Sequence, residues 1–551
     1  MIVFRTLIFL LTMLVGVSVR AEDLALIPYG PIAAPVAPEQ VVVNPRTVEM
    51  IGQALRITKD VPTRARWVAD LGRCPVPQAR ILLQKLLSDP DPLIRSGAIH
   101  ALRHHPQTEP EILIGLLDDP SPLVRQELIR SGLSQAIVRG VQDNDPAVRT
   151  AALGRSVDVS TDQAILQQLP ELDPTLQVLG IRTLARRGYE PCVPVITGLL
   201  NSESVAVRVS ALEGLCELRA ITREQIDAQL KHAHSSVRVA AVRASRVLNE
   251  SDRTTVARTG LSDPDVSVRA ESARLEVTGD SSWVSIYFDQ LSVGYRPLRE
   301  ASRDALVRLA GVDSAVFKMV VDRSIALLTD SDPHRRIDGS YLLGQLRSNA
   351  GLEKHLRLLE DDDWRVVDQA VRSMGLIKDP RTGEALIRVI QRAMDEKNVS
   401  SPDQVGPRFS AAEQAILSCV ELNHVPVLQT TASFNLRRTA QTSVRTASVY
   451  ALGRLGTSEQ VFSSLRALLS RVADPEESPT VVIEAIKSMG NARVSEAVPV
   501  LEKIRQDQNL SSDYQYAAHL ALARIRGEQP SEFIPPTIVR EPDTSLRAID
   551  P

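Results

Sequence analysis

At 551 residues the chain is too long for one ordinary core, so several domains or a repeat array are expected. Hydrophobic residues make up 43% of it and aromatics only 3%, which calls for an aliphatic core and favours helical repeats over sandwiches or barrels. The formal charge of −3 argues against a large nucleic-acid-binding surface.

The N-terminus has the order of a secretory signal over residues 1–21. Arg5 supplies the positive flank, Leu7 to Val19 the apolar run, and Val19-Arg20-Ala21 a cleavage site before Glu22. The run is short for a membrane span and no other of spanning length follows. A soluble exported protein, periplasmic or secreted, is therefore expected, with no integral membrane segment after cleavage. Residues 22–49 are rich in Pro, Ala and Val without a helical period and read as a linker.

A phrase then recurs: an apolar run, an acidic-Pro turn, and Val-Arg with a small residue three positions on. Leu86-Leu87-Ser88-Asp89-Pro90-Asp91-Pro92-Leu93-Ile94-Arg95 and Leu116-Leu117-Asp118-Asp119-Pro120-Ser121-Pro122-Leu123-Val124-Arg125 are the plainest copies. With that arginine as ruler, the anchors are Arg64, Arg95, Arg125, Arg149, Gln177, Arg208, Arg238, Arg269 and Arg299, then Arg336, Val367, Arg408, Arg445, Val482 and Gln515. From Gln177 to Arg299 the steps are 31, 30, 31 and 30 residues. This spacing predicts regular helical hairpins over 50–310 and hairpins with longer insertions over 311–526, the insertions falling at 398–407 and 474–479. Apolar or small residues one before each anchor and three, four and seven after it share one helical face. Arg303 breaks the pattern by occupying an apolar slot, which predicts a distorted unit there. A hairpin this short has too little core to stand alone and must stack on its neighbours. Residues 527–551 are Pro-rich and polar, a tail.

The four cysteines have no metal or haem spacing, but Cys192 and Cys216 fall at similar distances from one hairpin turn, where a disulfide is possible. His100 and His104 are one helical turn apart, without a third ligand. Glu360-Asp361-Asp362-Asp363 lacks the glycine turn and distal glutamate of a calcium loop and reads as another acidic turn. Basic residues late in the second helices, Arg130, Arg246 and Arg308 among them, suit the negative end of the helix dipole, with an electropositive rim for an acidic partner as the other reading. No phosphate loop, dinucleotide fingerprint or nucleophile elbow is present, and no catalytic residue, metal or cofactor is expected.

The recurring phrase resembles the HEAT-repeat family, in the short bacterial form seen also in phycobilisome lyase subunits. The resemblance implies an all-α superhelix, a solenoid of about fifteen hairpins. It also implies a structural ladder in which turn aspartates and anchor arginines bond between neighbouring repeats. Asp89 or Asp91 with Arg95, Asp119 with Arg125, and Asp265 with Arg269 match those roles, and Arg149, Arg208 and Arg238 belong to the same row. Gln177, Val367 and Val482 depart from it. The His-Glu dipeptides of the HEAT-like deoxyhypusine hydroxylase are missing, so its di-iron chemistry lacks ligands. The function expected is a non-catalytic interaction scaffold of the bacterial cell envelope, holding a protein or extended peptide on the concave face. Gln126, Ser131, Glu213, Arg243, Glu271 and Arg274 are expected to be exposed there. The alternative is a HEAT-like enzyme or cofactor-handling protein, lyase-like or oxidoreductase-like; nucleic acid is not an expected partner.

Overall fold

Residues spaced to share one helical face are buried together. Ile94, Ala98, Ile99 and Leu102 are fully enclosed on the helix Pro92–Arg103, and Val207, Ala211, Leu212 and Leu215 on the helix Val205–Glu217. The computed structural model describes residues 45–103, 105, 110–275, 281–395, 402–434 and 441–529. The signal segment, nearly all of the expected linker and most of the tail lie outside these residues. All regular structure among the described residues is helical, an α-solenoid of successive hairpins. Its first helix, Pro45–Ile57, begins inside the segment read as linker, and its last ends at Arg526.

The acidic-Pro turn works as a helix start. Asp145 accepts the backbone N–H groups of Ala147 and Val148, and Asp173 those of Thr175 and Leu176. Proline follows each aspartate, where its missing N–H costs nothing and its fixed φ suits the first turn. The described part of one expected insertion, residues 402–407, is helical: Pro402–Glu421 starts ahead of its anchor and carries Pro407 within it.

The described residues form two compact units, divided between Leu218 and Arg219. In the first unit the hairpins span 45–72, 77–103, 110–131, 134–153, 159–186 and 193–217. The third has only a 3-10 segment, Pro110–Leu116, in place of a first α-helix. In the second unit they span 223–244, 250–273, 282–310, 314–345, 352–377, 383–421, 427–455, 458–491 and 498–526. Within each unit the second helix of a hairpin packs on the second helix of the next.

Two small positions set how closely these helices pack. Three residues after the anchor, a Cβ on Gly180 would stand 2.8 Å from Leu169 Cδ1, and one on Gly339 would stand 2.6 Å from the Ser324 carbonyl. Here the two helices of one hairpin cross. Eight residues after the anchor, a Cβ on Gly344 would meet Ser373 Cα at 2.8 Å, and one on Gly490 would meet Ala521 Cα at 2.7 Å. Here successive second helices touch backbone to backbone.

Candidate functional site

The anchor arginines Arg95, Arg125, Arg238 and Arg336 fork. One guanidinium nitrogen donates to the carbonyl of the turn preceding its own helix, and the other edge reaches the carboxylate of the next hairpin's turn. Arg95 Nη1 donates to the Asp89 and Pro90 carbonyls at 2.7 and 3.1 Å, while its Nε and Nη2 both hold the Asp119 carboxylate at 2.8 Å. Arg125 donates to the Asp119 carbonyl at 2.7 Å and to the Asp143 carboxylate at 2.7 and 2.8 Å. Arg64 bonds the Asp89 carboxylate through both Nη atoms, and Arg149 closes the run on the Asp143 and Asn144 carbonyls. Arg64, Asp89, Arg95, Asp119, Arg125, Asp143 and Arg149 thus form one unbroken chain of bonds across the first four hairpins. Each carboxylate also accepts the backbone N–H two residues on, as Asp119 does from Ser121 at 2.9 Å. The Arg125 guanidinium holds the Asp143 carboxyl below the usual carboxylate range.

The pairing differs from that drawn from the sequence. Arg95 and Arg125 bond the backbone of their own turn aspartates and the side chain of the next. Asp91 and Asp265 do not pair with arginine but cap helices: Asp91 accepts the Leu93 N–H at 2.8 Å and Asp265 the Ser267 N–H at 2.8 Å. Hydrogen bonds from Ser267 bring the Asp265 carboxyl down to about 2. The acceptor at that joint is Asp263, whose carboxylate takes Arg238 at 2.7 and 2.8 Å and whose carbonyl takes Arg269 at 2.7 Å. Arg208 bonds its own turn through the Ser202 and Asn201 carbonyls.

Three irregular joints, at Gln177, Val367 and Gln515, keep their carbonyl bonds by other means. Gln177 and Gln515 each donate their amide to two turn carbonyls. At Val367 the Asp361 carbonyl receives Arg392 from the following helix at 3.1 Å, with the guanidinium 4.3 Å over the Trp364 ring. Asp361 itself takes Arg336 at 2.7 and 2.9 Å, and Asp363 caps the next helix, so these two members of the acidic run are structural. Arg299 turns instead to the fully buried Asp338, at 3.0 and 3.1 Å, and Arg303 joins it at 3.2 Å while lying 4.3 Å over the Tyr341 ring. Arg296–Ala310 is accordingly an unbroken helix, not the distorted unit expected. Arg445 meets Glu477 at 2.8 Å, where one more methylene compensates for a shifted turn.

No disulfide joins Cys192 and Cys216. Cys192 is enclosed as a small hydrophobe, and burial pushes its thiol up to about 11. Cys216 follows the core residue Leu215 and is turned from it by about 100°. His104 lies outside the described residues, and His100 contacts Glu127 at 3.0 Å. Among the described residues no group of three His, Cys, Asp or Glu side chains is placed to hold a metal.

A second set of ion pairs, unread in the sequence, runs along the second-helix face. A carboxylate two residues after one anchor meets bases five residues after its own and the preceding anchor. Glu127 takes His100 and Arg130, and Glu271 takes Arg243 at 3.4 Å, Arg274 at 3.3 Å and also Arg246 at 2.7 Å. Glu271, expected to be exposed, is buried beneath its arginines; Arg243 and Arg274 are exposed, and Gln126, Ser131 and Glu213 half-buried. Arg130 and Arg246 therefore bond carboxylates besides facing the helix dipole, and Arg308 donates to the Ala273 carbonyl.

Further along this face of the second unit runs a groove. One stretch, of 540 Å³, is lined by Tyr341, Gln345, Gln369, Arg372, Leu376 and Gln414 among others; the next, of 740 Å³, by Glu413, Thr446, Tyr450 and Glu484 among others. Both include Leu417 and Glu421 of the helix Pro402–Glu421, so the two stretches adjoin, and between them they touch five successive second helices, 333–345 to 479–491. Burial raises the Glu484 carboxyl above its usual range.

Comparison with known proteins gives one family and one architecture. Residues 48–132 match the family model of HEAT repeats. The fold is similar to that of the Kap95:Nup1 complex, with a TM-score of 0.55 at 14% identity, covering 88% of this chain and 73% of that one. It is similar also to yeast importin-β (0.52, 14%, 88% and 73%) and to importin-β crystallised from ammonium sulfate (0.52, 12%, 87% and 77%). No curated protein matches the sequence.

Proposed function

We propose that this chain of HEAT-type hairpins is a non-catalytic scaffold that binds a protein or an extended peptide along its second-helix face. The observation that carries the reading is the pair of adjoining grooves on the second helices of the second unit. Its walls suit a polypeptide: the carboxamides of Gln345, Gln369 and Gln414 can meet peptide N–H and C=O groups, and Tyr341, Leu376, Leu417 and Tyr450 offer apolar and aromatic contact. The anchor arginines and turn aspartates are committed to turns and helix joints, which accords with a structural rather than a chemical role for them. Kap95, of similar architecture, forms a complex with Nup1, which accords with a binding role.

We place the protein in the bacterial cell envelope on the charge, apolar run and small-residue site of its first 21 residues. No described helix is long and apolar enough to cross a membrane. Mass measurement of protein recovered from the periplasm should give an N-terminus at Glu22; an intact Met1 refutes cleavage.

Photo-crosslinking separates the two faces. A crosslinking residue at Leu417 or Tyr450 should capture a discrete partner in cells, whereas one at Lys318, exposed on a first helix, should not. Equal capture from both faces, or capture from neither, rules the groove out.

A further inference from the structure

We propose that the adjoining grooves of the second unit take a polypeptide segment whose acidic and basic residues are gathered at opposite ends, each end meeting the opposite charge. It rests on the scaffold reading and adds the partner's chemistry to it. Among the described residues, the 540 Å³ stretch is lined by the bases Arg347, Arg372 and Lys378, with Glu421 as its acid. The 740 Å³ stretch is lined by the acids Glu413, Glu421 and Glu484 and by no base. Lys378 and Glu421 bond each other at 2.7 Å where the stretches adjoin, and so cancel. Away from that join each stretch keeps its sign. Arg347 is exposed and Glu413 half-buried, and neither makes an ion pair among the described residues. Arg372 bonds Asp368 at 3.1 Å and remains 44% exposed. Glu484 is half-buried, and its ion pair, to Lys487, is a loose one at 3.8 Å. Burial raises the Glu484 carboxyl, so a cation beside it would be welcome.

A merely solvated helix face alternates its charges, so that they neutralise one another locally. Here the signs are separated across helices. The bases lie on or just after the helices Pro333–Gln345 and Trp364–Ile377, and the acids on Pro402–Glu421 and Pro479–Asn491. A cleft lined by one sign focuses its field, and two such clefts of opposite sign fix the register of a ligand that spans both. Arg372 and Glu484 are three second-helix steps apart, about 24–30 Å at 8–10 Å per step, which an extended chain covers with about 7–9 residues. The acidic stretch also offers Leu417 and the Tyr450 ring, against which the stem and head of a lysine or arginine can lie. A nucleic acid, negative throughout, would be drawn to one stretch and repelled by the other. A segment with its charges sorted satisfies both.

The test uses the full chain and fluorescent peptides of one composition, followed by anisotropy at low and at raised salt. One peptide carries a glutamate block and a lysine block about eight residues apart, and its isomer has the same charges interspersed. The wild type should bind the separated blocks at least about tenfold more tightly than the isomer, and salt should narrow the difference. Arg347→Asn with Lys378→Asn removes two bases at left-handed backbone positions, φ 49° and 57°, which asparagine adopts more readily, so circular dichroism should be kept. This variant should bind the separated blocks several-fold more weakly, and bind as the wild type does a peptide whose glutamates are replaced by glutamine. Glu413→Gln with Glu484→Gln should weaken binding likewise and leave unchanged a peptide whose lysines are replaced by glutamine; should that pair misfold, Glu413→Gln alone is read. Equal affinity for separated and interspersed charges, unchanged affinity in a folded variant, no binding by the wild type, or stronger displacement by a DNA oligonucleotide than by unlabelled peptide overturns the proposal. Partner capture at Leu417 is read separately. Capture there without the preference for separated charges sinks this inference and leaves the scaffold standing.

Discussion

A forked arginine makes two kinds of bond, and their losses differ. Arg95→Ala removes the partner of Asp119, whose side chain is 4% exposed, and leaves a buried carboxylate uncompensated; a cost of about 3–5 kcal/mol is expected. Arg149→Ala removes bonds to two turn carbonyls that water can replace, and about 1 kcal/mol is expected. The free energy of local amide exchange reads both. His355 gives a separate, pH-dependent case. It is 1% exposed, its Nε2 lies 2.8 Å from the Ser340 hydroxyl, and burial lowers its pKa to about 4 from 6.5. Between those values the unfolded chain binds the proton and the folded chain does not. Its stabilisation is whole above pH 6.5 and fades as pH falls towards 4, by up to about 3 kcal/mol. His355→Gln should flatten that slope in urea titrations repeated across the window; a slope equal to the wild type's would count against the buried neutral imidazole.

Helix contacts give a matched pair of substitutions. Gly490→Ala adds a methyl 2.7 Å from Ala521 Cα, a backbone atom that cannot move aside, so overpacking of about 1–3 kcal/mol should exceed the roughly 1 kcal/mol gained in helix propensity. Gly198 has nothing within 4 Å of the added methyl, and Gly198→Ala should stabilise by up to about 1 kcal/mol. Opposite changes in thermal midpoint would support the close helix contact, and two increases would contradict it. The hairpin core was legible because burial follows helical period: Ile94, Ala98, Ile99 and Leu102 could be picked out by spacing alone. The anchor arginines were legible as a row, but not the offset by which each reaches the next turn, since one sequence does not say which of two aspartates, such as Asp263 and Asp265, caps and which pairs. Asp338, Arg392 and Glu477 were missed because they act off the repeat's register. The only signal was indirect: Arg303 in an apolar slot required a buried anion opposite, and Asp338 supplies it. The Glu271 cluster was hidden for a related reason, since a glutamate on a second helix reads as solvent-facing until the three arginines above it are placed.

At the scale of the molecule, the physical claim is that each hairpin is stabilised by the hairpins beside it and not by one shared core. The bonds that run from Arg64 to Arg149 are all local: the carboxylate bonds join neighbouring hairpins, and the carbonyl bonds close an arginine's own turn. The buried apolar residues likewise form separate clusters, Val48 to Ala152 in the first unit and Val321 to Ala451 and Val449 to Leu522 in the second. Stability in such a stack is a sum of repeat and nearest-neighbour terms, so damage at one joint should stay near it. Such a stack can offer a long face for binding without one central core to protect. The most direct measurement is hydrogen exchange of the full-length Arg95→Ala protein, resolved by peptide. Protection should fall across residues 77–131 and remain at wild-type levels across 442–526; an equal loss in both segments would mean that the chain unfolds as one cooperative body and would contradict the account.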